Sequence, residues 1–199
     1  MINAKRIIKY IFIFILFIML FGCGDIDLKS STMINTDESG TVKLQIIYDD
    51  FIASKLQGDI INHKWAHDNG YLFNKYSKAN MTIEEITYEF KNIKELEQII
   101  NSSGLAKMTY SKRVQVMENI YDIELRFNKS AIDRLIKSNI NNDEKIYNYI
   151  SNIKFRNEVT VPRSIVNSKT LGDINKNTEE WTYKLNQIDN STTISLSYK

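Results

Sequence analysis

The sequence predicts an α+β fold in which helices cover one face of an antiparallel β-sheet of about six to eight strands. Three observations predict it. Several segments alternate between apolar and polar residues with a period of two, helical segments with an apolar face lie between them, and the strands lack the continuous apolar runs of parallel sheets. Strands that are wetted on one face need a cover on the other, and helices can supply it.

Six segments carry the two-residue alternation, with polar or charged residues between the apolar ones. They are Val42 to Tyr48, Ile86 to Phe90, Tyr121 to Phe127, Phe155 to Val161, Trp181 to Leu185 and Ile194 to Tyr198. Asn157 interrupts the fourth alternation. Pro162 follows that segment directly, at a strand end where a missing N–H is tolerated.

A helix is predicted from Ile93 to Ile100, whose apolar residues recur at helical spacing. Asn92 can cap its start with Glu95 three residues later, and Gly104 can end it. Two further helices are expected to begin at Ser130 and Asp143. The less periodic stretch 50–78 suggests more helix, broken near Gly70.

Residues 23–40 admit two interpretations. They form either a flexible membrane-proximal tether, in which residues 25–40 would span about 20 to 24 Å as a coil, or the first arm of a β-hairpin. The turn chemistry of the Asp37-Glu38-Ser39-Gly40 segment favours the hairpin. Residues 41–199 are expected to form a single domain, since no internal repeat or breaker-rich linker divides them.

The first 22 residues have the layout of an export signal. Lys5, Arg6 and Lys9 precede an apolar run that ends at Phe21, and this run is too short to span a bilayer comfortably. Leu20-Phe21-Gly22-Cys23 resembles the lipobox of bacterial lipoproteins, although Phe21 departs from the usual small or β-branched residue. This resemblance implies cleavage between Gly22 and Cys23 and a diacylglyceryl thioether, with further acylation such as palmitate, on Cys23.

Cys23 is the only cysteine of the chain, so no internal disulfide can form. The resemblance implies that its lipid holds the protein at the extracytoplasmic face of the cell membrane, with two acyl chains giving a stable anchor. The alternative is an incidental thiol in a retained membrane helix. Removal of residues 1–22 leaves 23 basic against 24 acidic residues. A net charge near −1 gives no electrostatic case for nucleic acid as a partner.

His63 and His67 are the only histidines, and their i, i+4 spacing would place both rings on one face of a helix. Such a pair suits zinc, with Asp59 or Asp68 as a third ligand. The intervening residues lack the glutamate that a His-Glu-x-x-His hydrolase uses as general base. These histidines are therefore weak metal candidates, and ordinary surface residues are the favoured interpretation.

No other catalytic constellation is recognisable. The sequence has no Gly-x-Ser-x-Gly elbow and no glycine-rich phosphate loop, so neither a catalytic residue nor a cofactor is predicted. Three pairs of adjacent acids, Asp49-Asp50, Glu84-Glu85 and Glu179-Glu180, are interpreted as solvated charges.

The aromatic residues of the predicted strands have two interpretations. They either line a groove for an acyl chain or glycan, or fill the core between sheet and helices, which is favoured for any single ring. They are Tyr48, Tyr88, Phe90, Tyr121, Phe127, Trp181, Tyr183 and Tyr198.

Three groups of short motifs make the chain similar to the bacterial LppM-like lipoproteins. They are the segment Cys23 to Leu28, the segment Asp37 to Val42, and a tail with Glu158 to Pro162, Ile165 to Ser168 and Trp181 to Leu185. The resemblance implies a surface-exposed domain with a lipid or glycolipid ligand, an Asn-Ser turn in the tail, and no enzymatic activity. Members often end in a transmembrane helix, whereas Leu196-Ser197-Tyr198-Lys199 continues an apparent strand, so anchorage here is expected to rest on Cys23.

The sequence thus leads to the expectation of a non-catalytic extracytoplasmic lipoprotein that binds an envelope lipid, a glycolipid or a partner protein. Two alternatives stay open. One is a metal-dependent envelope hydrolase that uses His63 and His67, and the other is a structural component of the envelope.

Overall fold

A computed structural model describes residues 26–56, 58–116, 118–139, 142–169 and 172–199. Its strands are β1 (Ile26–Ile34), β2 (Gly40–Asp49), β3 (Leu72–Lys78), β4 (Met81–Phe90), β5 (Ala106–Val114), β6 (Asn119–Phe127), β7 (Lys154–Thr160), β8 (Ile165–Ser168), β9 (Asp173–Asn175), β10 (Thr178–Lys184) and β11 (Thr193–Tyr198). Its α-helices are α1 (Asp50–Lys55), α2 (His63–Asp68), α3 (Ile93–Ser103), α4 (Lys129–Asn139) and α5 (Glu144–Ile150). The predicted α+β class is confirmed.

The strands of the described residues form two sheets. The larger has the order β3-β4-β2-β1-β7-β10-β9, and the smaller has the order β5-β6-β11-β8. Neighbouring strands are antiparallel, except that β1 and β7 pair in parallel from Asp27 opposite Lys154 to Met33 opposite Thr160. The seven strands of the larger sheet lie within the predicted range. The second sheet and the parallel pair were not predicted, because local alternation does not specify strand partners.

Residues 26–40 take the hairpin form of the two alternatives, since β1 pairs with β2 along its whole length. The turn is closed by the N–H of Asn35, which donates to the carbonyl of Ser39 at 2.8 Å. Asp37 stabilises it by accepting from the N–H and the hydroxyl of Ser39. The Asp37-Glu38-Ser39-Gly40 segment thus stabilises the turn through short polar side chains, which are typical of turns.

The predicted boundaries of α3 are confirmed by its capping. The side chain of Asn92 accepts from the N–H of Glu95 at 3.1 Å, and Gly104 ends the helix with φ of 70°. The start of α4 differs by one residue from the prediction. The helix begins at Lys129 instead of Ser130, and Asn128 caps it by accepting from the N–H of Ala131.

The predicted helix after Gly70 is wrong. Gly70 does end the preceding helical region with φ of 77°, but residues 72–78 form the edge strand β3 beside β4. Leu72 remains 65% exposed, and most of β3 is exposed as well. An edge strand with little buried surface has no clear apolar face, and β3 therefore gave no strand pattern.

The inner face of the larger sheet carries the core. One part of this face packs against α1, α2 and the loop between them, and another part packs against α3 and the smaller sheet. A third cluster joins Ile136 of α4 to Ile150 of α5 near the start of β1. The outer face bears ion pairs such as Lys29 with Glu158. The larger sheet is thus apolar on one face and polar on the other, as predicted.

Candidate functional site

A two-lobed apolar cavity lies between the inner face of the larger sheet, the smaller sheet and the helices. The main lobe has a volume of about 310 Å³ and the side lobe about 270 Å³. Both lobes are lined by Leu44, Leu105, Ala106, Phe127 and Phe155. The shared walls make the lobes neighbours in one apolar region.

The main lobe is built by the period-two alternation of the strands. The inward residues of β1, β2, β4 and β7 form one wall, and inward residues of β5, β6 and β11 face them. Helix α3 contributes Leu96, Ile99 and Ile100 from its apolar face. The same alternation that identified the strands therefore supplies the apolar lining.

The side lobe lies at the end of the larger sheet where β1 begins and β2 ends. Leu28 and Ile46, which are register partners, line it there. Ile132 of α4 and Ile150 of α5 line it from the helical side. Lys29 is the one basic residue among its described lining residues, but the side chain of Lys29 points to the outer face of β1, where it pairs with Glu158 at 2.9 Å.

The main lobe presents no charged side chain among the residues that the structure describes. Burial raises the pKa of Tyr71 to about 12, and it also raises that of Tyr88, whose hydroxyl donates to Glu95 at 2.7 Å. Both phenols therefore stay neutral at physiological pH. An uncharged, apolar cavity of this kind can hold hydrocarbon but offers nothing to stabilise an ionic group.

A few polar side chains nevertheless line the main lobe. Ser30 on β1 and Asn157 on β7 are each only 8% exposed, and Thr32 lies next to Ser30 on the same face of β1. These residues were not predicted as site residues. The sequence did contain a signal for Asn157, because it breaks an otherwise apolar alternation.

His63 and His67 lie on α2, as their spacing suggested, but the structure does not assemble a metal site around them. The side chain of His67 is 88% exposed, and His63 packs against the ring of Phe73. Asp59 is bound by Lys75 and Asp68 by Lys64, each at 2.9 Å. Within the described residues, no group of three His, Cys, Asp or Glu side chains could hold a metal ion.

The interpretation of the paired acids as solvated charges is wrong for Glu84, Glu85 and Glu179. Glu84 and Glu179 are fully buried, and Glu85 is 8% exposed. Both fully buried acids lie on inward positions of their strands, and adjacent Glu85 and Glu180 point the other way. Adjacent strand residues face opposite ways, so one acid of each strand pair had to point inward, but the sequence did not reveal that this acid would be buried. Asp49 caps α1 by accepting from the N–H of Ile52.

The aromatic residues divide between the two interpretations. Tyr88 and Phe127 line the main lobe. The buried rings that fill the core are Tyr48, Phe90, Trp181 and Tyr198. Asn167 and Ser168, which the family resemblance placed in a turn, lie in β8.

The predicted cleavage site at Gly22 and lipidation site at Cys23 lie outside the described residues, as does the signal segment 1–22. Across residues 26–199 as far as the structure describes them, no helix has the length and apolar character needed to cross a membrane.

Among known proteins, the chain shows a likeness to a solved structure. No family model and no curated protein matches the chain. The folded domain of the Mycobacterium tuberculosis protein LppM, solved by NMR, is similar with a TM-score of 0.49 and 16% sequence identity. The match covers 90% of this chain and 92% of that domain.

Proposed function

We propose that the protein is a lipoprotein of the extracytoplasmic membrane face that binds the acyl part of an envelope lipid or glycolipid and catalyses no reaction. The observation that carries the proposal is the two-lobed apolar cavity between the sheets. Its main lobe of about 310 Å³ reaches the range of about 300 to 1,000 Å³ that is usual for small-molecule sites, and the side lobe adds about 270 Å³ next to it.

The cavity lining supports a hydrocarbon ligand. Native cores are close-packed and contain few voids larger than a water molecule, so a region of this size is more than a packing defect. Each methylene that enters such a site contributes about 0.8 kcal/mol. The alternative of a purely structural envelope component predicts no such cavity. A hydrolase built on His63 and His67 is disfavoured by the exposure of these rings and the lack of a third ligand among the described residues.

The position of the side lobe supports uptake from the membrane. Leu28, which lines this lobe, follows the proposed anchor Cys23 by five residues, which reach at most about 18 Å when extended. A lipid on Cys23 would therefore hold this end of the sheet close to the bilayer. Lipid taken up by the cavity would need to travel only a short way from its membrane.

Photocrosslinking of the full-length protein tests the proposal. The chain is produced in a bacterium that processes lipoproteins and reconstituted into phosphatidylcholine vesicles that contain phosphatidylcholine with a diazirine in one acyl chain. Ultraviolet light should crosslink this lipid to peptides of β1, β6 and α3, which line the main lobe. Ala106→Phe, which places a ring where the lobes meet, should reduce these crosslinks about tenfold or more.

Thr109→Phe is the matched control, because Thr109 lies on the same strand but is exposed and faces away from the cavity. This variant should crosslink like the natural protein. Crosslinks confined to surface peptides, or equal crosslinking by the two phenylalanine variants, would overturn the proposal.

A further inference from the structure

Ser30 and Asn157 lie side by side in the cavity. They are register partners across the parallel pair β1 and β7, and both face the main lobe. Each is 8% exposed. Their neighbours on the same face of β7, Phe155 and Val159, are apolar. Two polar side chains thus lie at the same register position of a lining that is otherwise mostly apolar.

No hydrogen bond joins either side chain, or that of Thr32 beside them, to another described residue, and their polar atoms are not among the fully enclosed ones, so they are open to the cavity. Two other polar side chains of the main lobe, Ser103 and Tyr88, do have partners. The hydroxyl of Ser103 donates to the carbonyl of Ile100 at 2.6 Å, and that of Tyr88 donates to Glu95. A polar group that faces an apolar cavity without a partner from the protein can be satisfied only by water or by a ligand, so a hydrogen-bonding group on a ligand would be favourable there.

We propose that the bound lipid carries an uncharged hydrogen-bonding group, an ester or a hydroxyl as in an acylglycerol, and that Ser30 and Asn157 bind it. The inference rests on the proposed function and names the ligand class. An amide offers both a donor and an acceptor, and a serine hydroxyl does the same, so together they match an ester carbonyl or a hydroxyl. A carboxylate or phosphate at this position would find no counter-charge among the described residues of the main lobe.

Two photoreactive probes of equal chain length test the inference. Full-length protein in phosphatidylcholine vesicles is crosslinked either to a diazirine-labelled monoacylglycerol or to a diazirine-labelled alkane. In the natural protein, the monoacylglycerol should give the higher yield in the main lobe. Asn157→Leu should lower the monoacylglycerol yield about tenfold, as expected for the loss of a buried hydrogen bond, and should leave the alkane yield unchanged or higher.

Ser30→Ala should also lower the monoacylglycerol yield, as Asn157→Leu does, while it keeps the side-chain size nearly constant. Ser31→Ala is the matched control, because this serine is adjacent to Ser30 on β1 but points to the opposite face of the sheet and lines neither lobe. The ratio between the two probes should stay unchanged in the control. Thermal unfolding followed by circular dichroism verifies that each variant folds.

The outcomes separate the two proposals. An unchanged probe ratio in Asn157→Leu and Ser30→Ala would overturn this inference and would leave the cavity as a site for plain hydrocarbon, with Ser30 and Asn157 satisfied by water. Failure of both probes to crosslink inside the main lobe of the natural protein would overturn the proposed function itself.

Discussion

Tyr48 on β2 donates a hydrogen bond of 2.6 Å to Glu84 on β4, and both side chains are fully buried. The carboxylate of Glu84 also accepts from the N–H groups of Ile60 and Ile61, at 2.9 and 2.6 Å, and lies 3.2 Å from the ammonium of Lys75. Burial, followed by the contact with Glu84, raises the pKa of Tyr48. Glu84 thereby attaches the loop before α2 to the larger sheet.

We expect Tyr48→Phe to lower the free energy of unfolding by about 1 to 3 kcal/mol, because it removes a donor from a buried carboxylate. Chemical denaturation in mild detergent measures the change. Tyr76→Phe is the control, since this phenol is 37% exposed and accepts only a 3.3 Å bond from Gln45, and it should change the value by less than about 0.5 kcal/mol. Equal effects in both variants would contradict the prediction.

We predict that Glu179 makes the free energy of unfolding depend on pH. One of its carboxylate oxygens accepts from Ser168 at 2.5 Å, and the other has no partner among the described residues. Burial raises the pKa of Glu179 above its ordinary value of 4.5, although the Ser168 bond acts in the opposite direction. The folded state therefore resists ionisation, so Glu179 lowers stability as pH rises above about 4.5.

Glu179→Gln should consequently raise the melting temperature at pH 7 and lose this advantage at pH 4, where both the folded and the unfolded chain carry a protonated carboxyl. Thermal unfolding of both proteins across this range measures the difference. A gain of the same size at both pH values would show that ionisation of Glu179 plays no part.

Asn157→Leu should stabilise the protein without ligand by about 1 kcal/mol, because it replaces an amide that faces the apolar cavity without a partner from the described residues by hydrocarbon of similar size. Asn177→Leu provides the opposite case. The amide of Asn177 donates to the carbonyl of Val161 at 2.8 Å, so its loss should destabilise by a similar amount. Denaturation of the two variants side by side tests the pair, and a loss of stability in both would refute the assignment of Asn157 as unpartnered.

Gly40 is predicted to be intolerant of any side chain. A Cβ atom there would lie 2.0 Å from the carbonyl oxygen of Met33 and 2.5 Å from the ring of Phe90. Gly40→Ala should therefore destabilise by about 1 to 3 kcal/mol or more, as overpacking does. At Gly58 a Cβ would meet nothing within 4 Å, so Gly58→Ala should be neutral or slightly stabilising in the same denaturation assay.

Cys23→Ser tests the proposed anchor, because a hydroxyl cannot form the thioether on which lipidation depends. We expect a precursor that stays uncleaved and incorporates no labelled palmitate, as judged by gel mobility and autoradiography. Mature protein of normal size that still partitions into detergent would contradict the assignment of Cys23.

The sequence predicted the features that local physics determines. Alternation located β2, β4, β6, β7, β10 and β11, and the capping residues Asn92 and Gly104 fixed the bounds of α3. It did not separate the strands into two sheets, since pairing is decided by distant contacts. The strand β5 was missed although Ala106, Met108 and Tyr110 alternate, because most of its residues are exposed.

The site was less predictable than the fold for a related reason. A cavity forms where the faces of strands that are distant in sequence meet. The sequence alone does not distinguish an aromatic ring that lines such a cavity from one that fills the core. Asn157 was the exception, because a polar residue on the inward side of an apolar strand is visible in the sequence. Ser30, in the loosely alternating β1, gave no comparable signal.

The position of β1 between β2 and β7 has a consequence for the order of folding. Asp27 and Arg156, which join β1 to β7 at 2.6 Å, are 129 residues apart in the chain. Contacts of such long sequence separation close late and slow the formation of the native sheet. The strand β1, which follows the proposed anchor, is therefore synthesised before β7 but pairs with it only late in folding. An exported chain would accordingly cross the membrane before its central sheet could form.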